Sequence, residues 1–277
     1  MKIKLISVII GVLFTSIMIA QTETADSTGY PGDNLNLEAV LDLFKQSESP
    51  EDFEKKLNTE SFGVNNLDLN EDGQTDYIHV DEYNEGDVRV LALRVYLGEK
   101  DVQDIATLEI EKTGAQEAMI QIVGDETVYG GRAISEPFEM SEHKEEEINE
   151  SIDVNADESV KRLRTEYNRK VVNVWTWPAV TYMYRSAYKP WRSPWRWRYY
   201  PDYWRPWRPI AFTPYYERVF KHRFVYKTAP MRRVVVARKI YTPHKKSSKV
   251  IKKRTTVIRK SRGNTTTKRN VTRSRRN

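Results

Sequence analysis

The first half of the chain contains the alternating run Tyr77-Ile78-His79-Val80-Asp81-Glu82-Tyr83, then the turn Asn84-Glu85-Gly86-Asp87, then the run Val88-Arg89-Val90-Leu91-Ala92-Leu93-Arg94-Val95-Tyr96-Leu97. Alternation of apolar and polar residues is the period of a strand, and a short turn joins antiparallel neighbours. Two more strand patterns follow at residues 105–111 and 118–123, after turns at 98–101 and 113–114. The sequence therefore predicts an antiparallel β-meander.

Two helices are predicted upstream of this meander. Asn36 can cap a helix over residues 37–46, whose apolar residues recur at helical spacing. Ser49-Pro50-Glu51-Asp52 starts a second helix, with a capping serine and a proline in the first turn. Two helices followed by a meander indicate an α+β domain, with the helices packed on one face of the sheet. Charged helices are also predicted at residues 142–149 and 157–169.

The segment between the second helix and the meander resembles a calcium loop. Oxygen donors occupy positions 1, 3, 5 and 9 of this loop, glycine stands at position 6, and a backbone carbonyl would serve at position 7. The predicted ligands of a structural Ca²⁺ are Asp68, Asn70, Asp72, Gln74 and Asp76. The alternative is a turn without an ion, since Asp, Asn and Gly also dominate turns.

This loop departs from an EF-hand in three ways. Position 12 is His79, position 8 is Thr75, and the following residues have a strand pattern. A paired EF-hand is therefore not expected, and the bidentate ligand must come from Asp81, Glu82 or elsewhere.

Charge divides the chain into two opposed halves. Residues 21–160 carry 36 acidic and 9 basic residues, whereas residues 161–277 carry 3 acidic and 34 basic ones. The predicted layout is a signal peptide at 1–20, a linker at 21–36, an acidic α+β domain at 37–160, a helix with an aromatic belt at 161–217, and a basic, extended or disordered tail at 218–277. The halves attract each other, within one copy or between copies.

All seven tryptophans lie between Trp175 and Trp207. The densest stretch covers residues 189–209, and residues 191–208 within it are named the belt here. Its prolines exclude a long helix, and its Trp-Arg neighbours allow cation–π stacking. The residues predicted to bind a surface or partner are Trp191, Arg192, Trp195, Arg196, Trp197, Arg198, Trp204, Arg205, Trp207 and Arg208.

Three partners for the belt and the tail remain open. The first is an anionic surface, such as lipopolysaccharide, phospholipid or an acidic glycan. The second is nucleic acid, with bases stacked on aromatic rings, which export disfavours unless the nucleic acid is extracellular. The third is the acidic domain of the same chain or of another copy.

The N-terminus predicts export. Lys2 and Lys4 precede an apolar run over residues 5–19, and Ala20 precedes a polar segment. This layout is that of a cleaved signal peptide, and an uncleaved anchor is the alternative. No span is expected after cleavage, which would leave the protein in the periplasm, at the outer-membrane surface or outside the cell.

The residue inventory favours a protein without catalytic activity. The chain has no cysteine, which excludes disulfides and Cys-based metal sites. Its four histidines, at 79, 143, 222 and 244, have no metal-ligand spacing, and no nucleophile or phosphate-binding motif is present.

The export signal, residues 67–78 with their Asp68–Asp76 loop, the stretch Gln121-Ile122-Val123-Gly124-Asp125-Glu126 and the Trp/Pro/Arg-rich segment occur together in this chain. In this combination the sequence resembles a family of uncharacterised exported proteins of Bacteroidetes-type bacteria. The resemblance covers most of the chain and implies localisation only.

Overall fold

The computed structural model describes residues 27–138 and 171–274, with side chains to residue 262. The helices are α1 Leu37–Lys45, α2 Pro50–Leu57, α3 Glu126–Tyr129, α4 Pro178–Met183, α5 Phe212–Val219, α6 Val235–Tyr241 and α7 Lys249–Ser274. The strands are β1 His79–Glu85, β2 Val88–Tyr96, β3 Val102–Gly114, β4 Glu117–Gly124, β5 Ile134–Pro137 and β6 Tyr226–Thr228. The predicted signal peptide and the two charged helices lie outside the described residues.

Both predicted helix starts are confirmed. The side chain of Asn36 accepts a hydrogen bond from the amide of Ala39 at 2.7 Å, and Ser49 Oγ accepts one from the amide of Asp52 at 3.1 Å. Pro50 occupies the first turn of α2, where its missing N–H costs nothing. These caps satisfy amides that the helices leave unpaired at their N-termini.

The sheet is a six-stranded antiparallel meander in the order β1-β2-β3-β4-β5-β6. The four predicted strands are confirmed with shifted ends: β1 begins at His79 rather than Tyr77, and β3 extends over 13 residues. Pairs such as Leu91 with Leu108 and Ile110 with Ile120 place large apolar side chains beside one another. The predicted α+β class is therefore confirmed.

Both faces of the sheet are covered. The main core joins α1 and α2 to one face, and it includes Val174, Val180 and Tyr215 from the second half of the chain. On the other face a second core packs Val90 and Ala92 of β2 against α6, with contributions from Val234, Ala237, Ile240 and Tyr241. The sheet is thus the centre of three layers, and the basic half of the chain contributes to both outer layers.

The predicted boundary between domain and tail needs a correction. Residues 218–262 are not a separate extended tail: they supply strand β6, helix α6 and the start of α7. Some of their charges are compensated across the chain, since Arg233 pairs with Glu136 at 2.7 Å and Lys245 with Asp125 at 2.6 Å. The prediction treated the basic block as self-repelling, but its counter-charges lie in the other half of the sequence.

Within the described residues, no helix combines the length and the apolar composition that crossing a membrane requires. The longest of them, α7, is rich in lysine and arginine.

Candidate functional site

The belt has an aromatic inner side and a basic outer side. From residue 191 to residue 198 every second residue is exposed, including Arg192, Arg196 and Arg198, while Trp191, Trp195 and Trp197 are partly buried. This is the two-residue alternation of an extended chain lying on a surface. The Trp-Arg repeat therefore separates anchoring side chains from solvent-facing ones.

The buried carboxylate of Glu54 in α2 holds the inner side of the belt. Its oxygens accept hydrogen bonds from Trp191 Nε1 at 2.9 Å and from Ser193 Oγ at 2.7 Å. They also accept from Tyr77 Oη at 2.9 Å and from the amide of Val80 at 3.0 Å. Burial raises the pKa of Glu54 to about 7, although these donors lower it.

A second buried carboxylate, Glu82 of β1, lies next to the first. It accepts hydrogen bonds from Tyr188 Oη and from the amide of Trp191. Burial raises the pKa of Glu82, and the hydrogen bond from Tyr188 opposes this rise. No local pattern marks either carboxylate as an anchor of the belt, because both occur in ordinary helix and strand patterns.

The belt also covers the free edge of the sheet. The amide of Glu82 donates to the carbonyl of Trp191 at 2.9 Å, and the amide of Ser193 donates to the carbonyl of Val80 at 3.1 Å. The guanidinium of Arg192 lies 3.9 Å from the ring centre of Tyr83. The belt thus satisfies backbone groups that an open edge strand would expose.

Residues 196–199 form a tight turn at the outer side of the belt. Arg196 and Tyr199 exchange two backbone hydrogen bonds, of 3.1 and 2.8 Å, and Arg198 has a φ of 66°. Positive φ is uncommon for a residue other than glycine, so the turn holds Arg198 in a sparsely populated conformation. Tyr199 is 62% exposed at this turn.

The end of the belt packs beside the acidic loop, Asp68–Asp76. Trp204 is buried, with its ring edge-on to Tyr77 at 5.4 Å and 4.5 Å from the ring of Tyr200. Thr75 and Trp207 exchange hydrogen bonds: the Thr75 amide donates to the Trp207 carbonyl at 2.8 Å, and the Trp207 amide donates to Thr75 Oγ1 at 3.2 Å. The predicted metal loop and the predicted surface residues are therefore neighbours.

The outer arginines have no carboxylate partner in the described part of the chain. Arg196 stacks on Tyr199 at 4.5 Å, and Arg205 donates to the backbone carbonyls of Asp202 and Trp204. Arg192, Arg196, Arg198, Arg205 and Arg208 are all exposed. They form a surface with positive charge that the fold itself does not neutralise.

The acidic loop is closed by hydrogen bonds to its own backbone. The two carboxylate oxygens of Asp68 accept from the amides of Asp72 at 3.1 Å and Gly73 at 2.9 Å, and Asp76 Oδ2 accepts from the amide of Leu69 at 2.5 Å. Gly73 has a φ of 82°, which the sharp turn requires. Asn70 and Asp72 are linked side chain to side chain at 2.9 Å.

The donor chemistry of this loop fits calcium, but its donors face their own backbone. No group of three or more His, Cys, Asp or Glu residues is arranged around one point in the parts of the chain that are described. Burial, together with the smaller effect of the charges of Asp68 and Asp72, raises the pKa of Asp76 to about 7. An ion here would have to draw Asp68, Asp72 and Asp76 together.

The residues proposed to complete the calcium shell have other partners. Asp81 pairs with Arg94 at 2.8 Å, and Glu82 holds the belt. His79, at loop position 12, is buried between Tyr77 and Tyr96, at ring distances of 4.8 and 4.6 Å, and burial lowers its pKa to about 4. Asp81 and Glu82 thus both have partners away from the loop, and the source of the last calcium ligand, in Asp81, Glu82 or elsewhere, stays a prediction.

Comparisons with protein-family models, with curated proteins and with solved structures gave no match. The class of this protein is therefore described from its own fold and its own side-chain contacts. It is an α+β protein in which a basic aromatic belt is fixed to an acidic sheet by buried carboxylates.

Proposed function

We propose that this chain is an exported, non-enzymatic envelope or surface protein that docks through the outer side of its belt onto an anionic lipid surface. The observation that carries this proposal is the alternation along the belt. Tryptophans and buried carboxylates hold the inner side, while five arginines without carboxylate partners face outward.

The chemistry of the outer side fits phosphate headgroups. Arginine presents a planar fork that binds phosphate oxygens in pairs, and its charge does not depend on pH in the physiological range. The exposed rings of Tyr199 and Tyr203, 62% and 47% exposed, are of the type that lies at the headgroup level of a bilayer. Each arginine near an anionic membrane contributes about 1 kcal/mol to the free energy of binding, so five arginines together favour binding to such a surface.

A binding module for anionic glycan or extracellular nucleic acid is the alternative function. Arginine also binds sulfate, carboxylate and nucleic-acid phosphate, so the arginines alone do not separate these partners. The arrangement of the tryptophans favours the lipid. They lie against the protein rather than projecting as free stacking platforms for bases.

We predict that replacing Arg196, Arg198, Arg205 and Arg208 by glutamine weakens vesicle binding at least tenfold. The measurement is co-sedimentation with phosphatidylcholine vesicles that contain phosphatidylglycerol, at two salt concentrations. The control variant replaces Lys45, Arg185, Lys221 and Lys239, four exposed cations outside the belt, by glutamine. It removes the same charge and should bind almost as the parent does.

Equal loss in both variants would mean that net charge alone drives binding. Absence of vesicle binding, together with belt-dependent binding of a sulfated oligosaccharide or of DNA, would replace the lipid by the alternative partner.

Calcium is proposed as a structural brace of the acidic loop. The support is the set of five oxygen donors in register, Asp68, Asn70, Asp72, Gln74 and Asp76, at a glycine-centred turn. Because Thr75 of the loop exchanges hydrogen bonds with Trp207, an ion that stiffens the loop also stiffens the end of the belt.

We predict that millimolar calcium raises the melting temperature of the full chain by several degrees above its value in chelator. Saturation at 100 times Kd adds about 2.7 kcal/mol to the free energy of unfolding. The rise should disappear in Asp68→Asn and Asp72→Asn. It should remain in Glu71→Gln, whose carboxylate pairs instead with Arg254 at 2.9 Å. An identical melting curve with calcium and with chelator would reduce the loop to a hydrogen-bonded turn.

A further inference from the structure

Helix α7 carries a second basic surface, separate from the belt. Lys249, Lys252, Lys253, Arg259 and Lys260 are all exposed. At 100° per residue they fall within an arc of about 120°, and they extend over about 17 Å of helix. Ile251, which is fully buried, lies on the opposite side.

Among the residues that the structure describes, no acid pairs with this surface. The helix contains ten lysines and arginines and no acidic residue over Lys249–Ser274. None of the five exposed cations makes a salt bridge with an acid of the described residues. The neighbouring Lys245 and Arg254, by contrast, pair with Asp125 and Glu71. The basic half therefore contains more cations than it uses to hold itself to the sheet.

The chemistry of α7 differs from that of the belt. The helix has no aromatic residue, so it offers no ring for stacking on bases and no anchor for the bilayer interface. The exposed apolar side chains beside the five cations are Val250 and Val257, which lie on one side of them and present too small an area for interfacial binding. Four of the five cations are lysines, which act as mobile point charges rather than planar forks.

One side of the first turns of α7 is packed on the protein, because Ile251 is fully buried and Arg254 donates to the carbonyl of Leu69 at 2.9 Å. The five cations remain exposed along the other side, so a flexible linear polymer can lie along the helix and contact them in turn.

We propose that the exposed side of α7 binds an acidic polysaccharide, a linear polyanion without bases. The site consists of Lys249, Lys252, Lys253, Arg259 and Lys260, and it acts through charge, without a shaped pocket. It does not depend on docking of the belt, since it lies on a different element and uses other side chains.

The test is fluorescence anisotropy of a labelled heparin oligosaccharide with the full chain, over a range of salt concentrations. Replacing Lys249, Lys252, Lys253 and Lys260 by glutamine should weaken binding more than tenfold and should make affinity less dependent on salt, because fewer counterions are released. The variant at Lys45, Arg185, Lys221 and Lys239 should bind within about twofold of the parent, since it keeps every contact of the site.

Three results would overturn the proposal. Equal weakening in both variants would assign binding to net charge, and loss only in the Arg196/Arg198/Arg205/Arg208 variant would assign it to the belt. A labelled DNA duplex that binds more tightly than the oligosaccharide, through the same four lysines, would replace the polysaccharide by nucleic acid. Circular dichroism of each variant establishes that α7 is still folded.

Discussion

Replacing Glu54 by alanine is expected to lower the free energy of unfolding by about 3 kcal/mol. The substitution leaves buried donors without an acceptor, among them Trp191 Nε1 and the amide of Val80, and each unsatisfied donor costs about 1–3 kcal/mol. It also detaches the belt from α2, since Ser193 bonds to the same carboxylate. Chemical denaturation of the full chain measures the loss.

The control for this prediction is Glu51→Ala, in the same helix. Glu51 lies in the first turn of α2 and is exposed, so its removal should cost less than about 1 kcal/mol. If Glu54→Ala were as mild as Glu51→Ala, the carboxylate would not be the anchor of the belt.

The Glu54→Gln variant tests the same anchor through pH. The pKa of Glu54 is about 7 in the folded chain, against 4.5 for the free side chain, because burial disfavours its charged form. The folded state therefore binds more protons between these values, and the contribution of Glu54 to stability is full below pH 4.5 and is lost as pH rises through 7. Glutamine does not titrate, so the variant should lose less stability between pH 5 and about 8 than the parent does. Parallel stability–pH curves for the two proteins would contradict this.

A chain that ends at Lys170 is expected not to fold cooperatively. It loses the part of the main core that includes Val174, Val180 and Tyr215, and it loses the whole α6 side of the second core. Glu54, Glu82 and Glu109 also lose their partners from the second half of the chain. These carboxylates then either stay buried without a partner or become exposed together with both faces of the sheet. The acidic half should then bind a hydrophobic dye and lack a sharp unfolding transition.

The matched control ends at Arg262 and keeps every residue of the second half whose side chain the structure describes. It should unfold cooperatively, with a midpoint close to that of the full chain. A sharp transition in the chain that ends at Lys170 would restore the acidic half as an independent domain. The calcium and docking experiments use the full chain for the same reason.

Local patterns predicted much of the first half. The caps at Asn36 and Ser49 and the alternating runs of β1 and β2 depend on residues close in sequence, and the structure confirms them. The turn at Gly73 was also predicted from the sequence, because the turn preferences of glycine, Asp and Asn depend only on residues close by in the chain.

The candidate site could be predicted only in part. The Trp-Arg repeat predicted the position of the belt, but it did not predict which of its side chains point outward. The anchors Glu54 and Glu82 lie 137 and 109 residues from Trp191, and no local signal links them to it. The sequence named Glu82 among the sources of a last calcium ligand, which stays a prediction; in the structure its Oε2 accepts hydrogen bonds from Tyr188 and Trp191, and its Oε1 lies 3.6 Å from Arg89 Nε.

The sequence by itself determined the α+β class, the meander, the helix starts and the opposition of charge, because these follow from periodicity, capping and composition over short windows. Only the tertiary structure decided that the basic half covers both faces of the sheet and completes its cores. The physical reason is that burial and ion pairing depend on residues more than a hundred positions apart. A basic segment that would repel itself alone becomes ordered when buried carboxylates and an uncovered sheet are brought beside it.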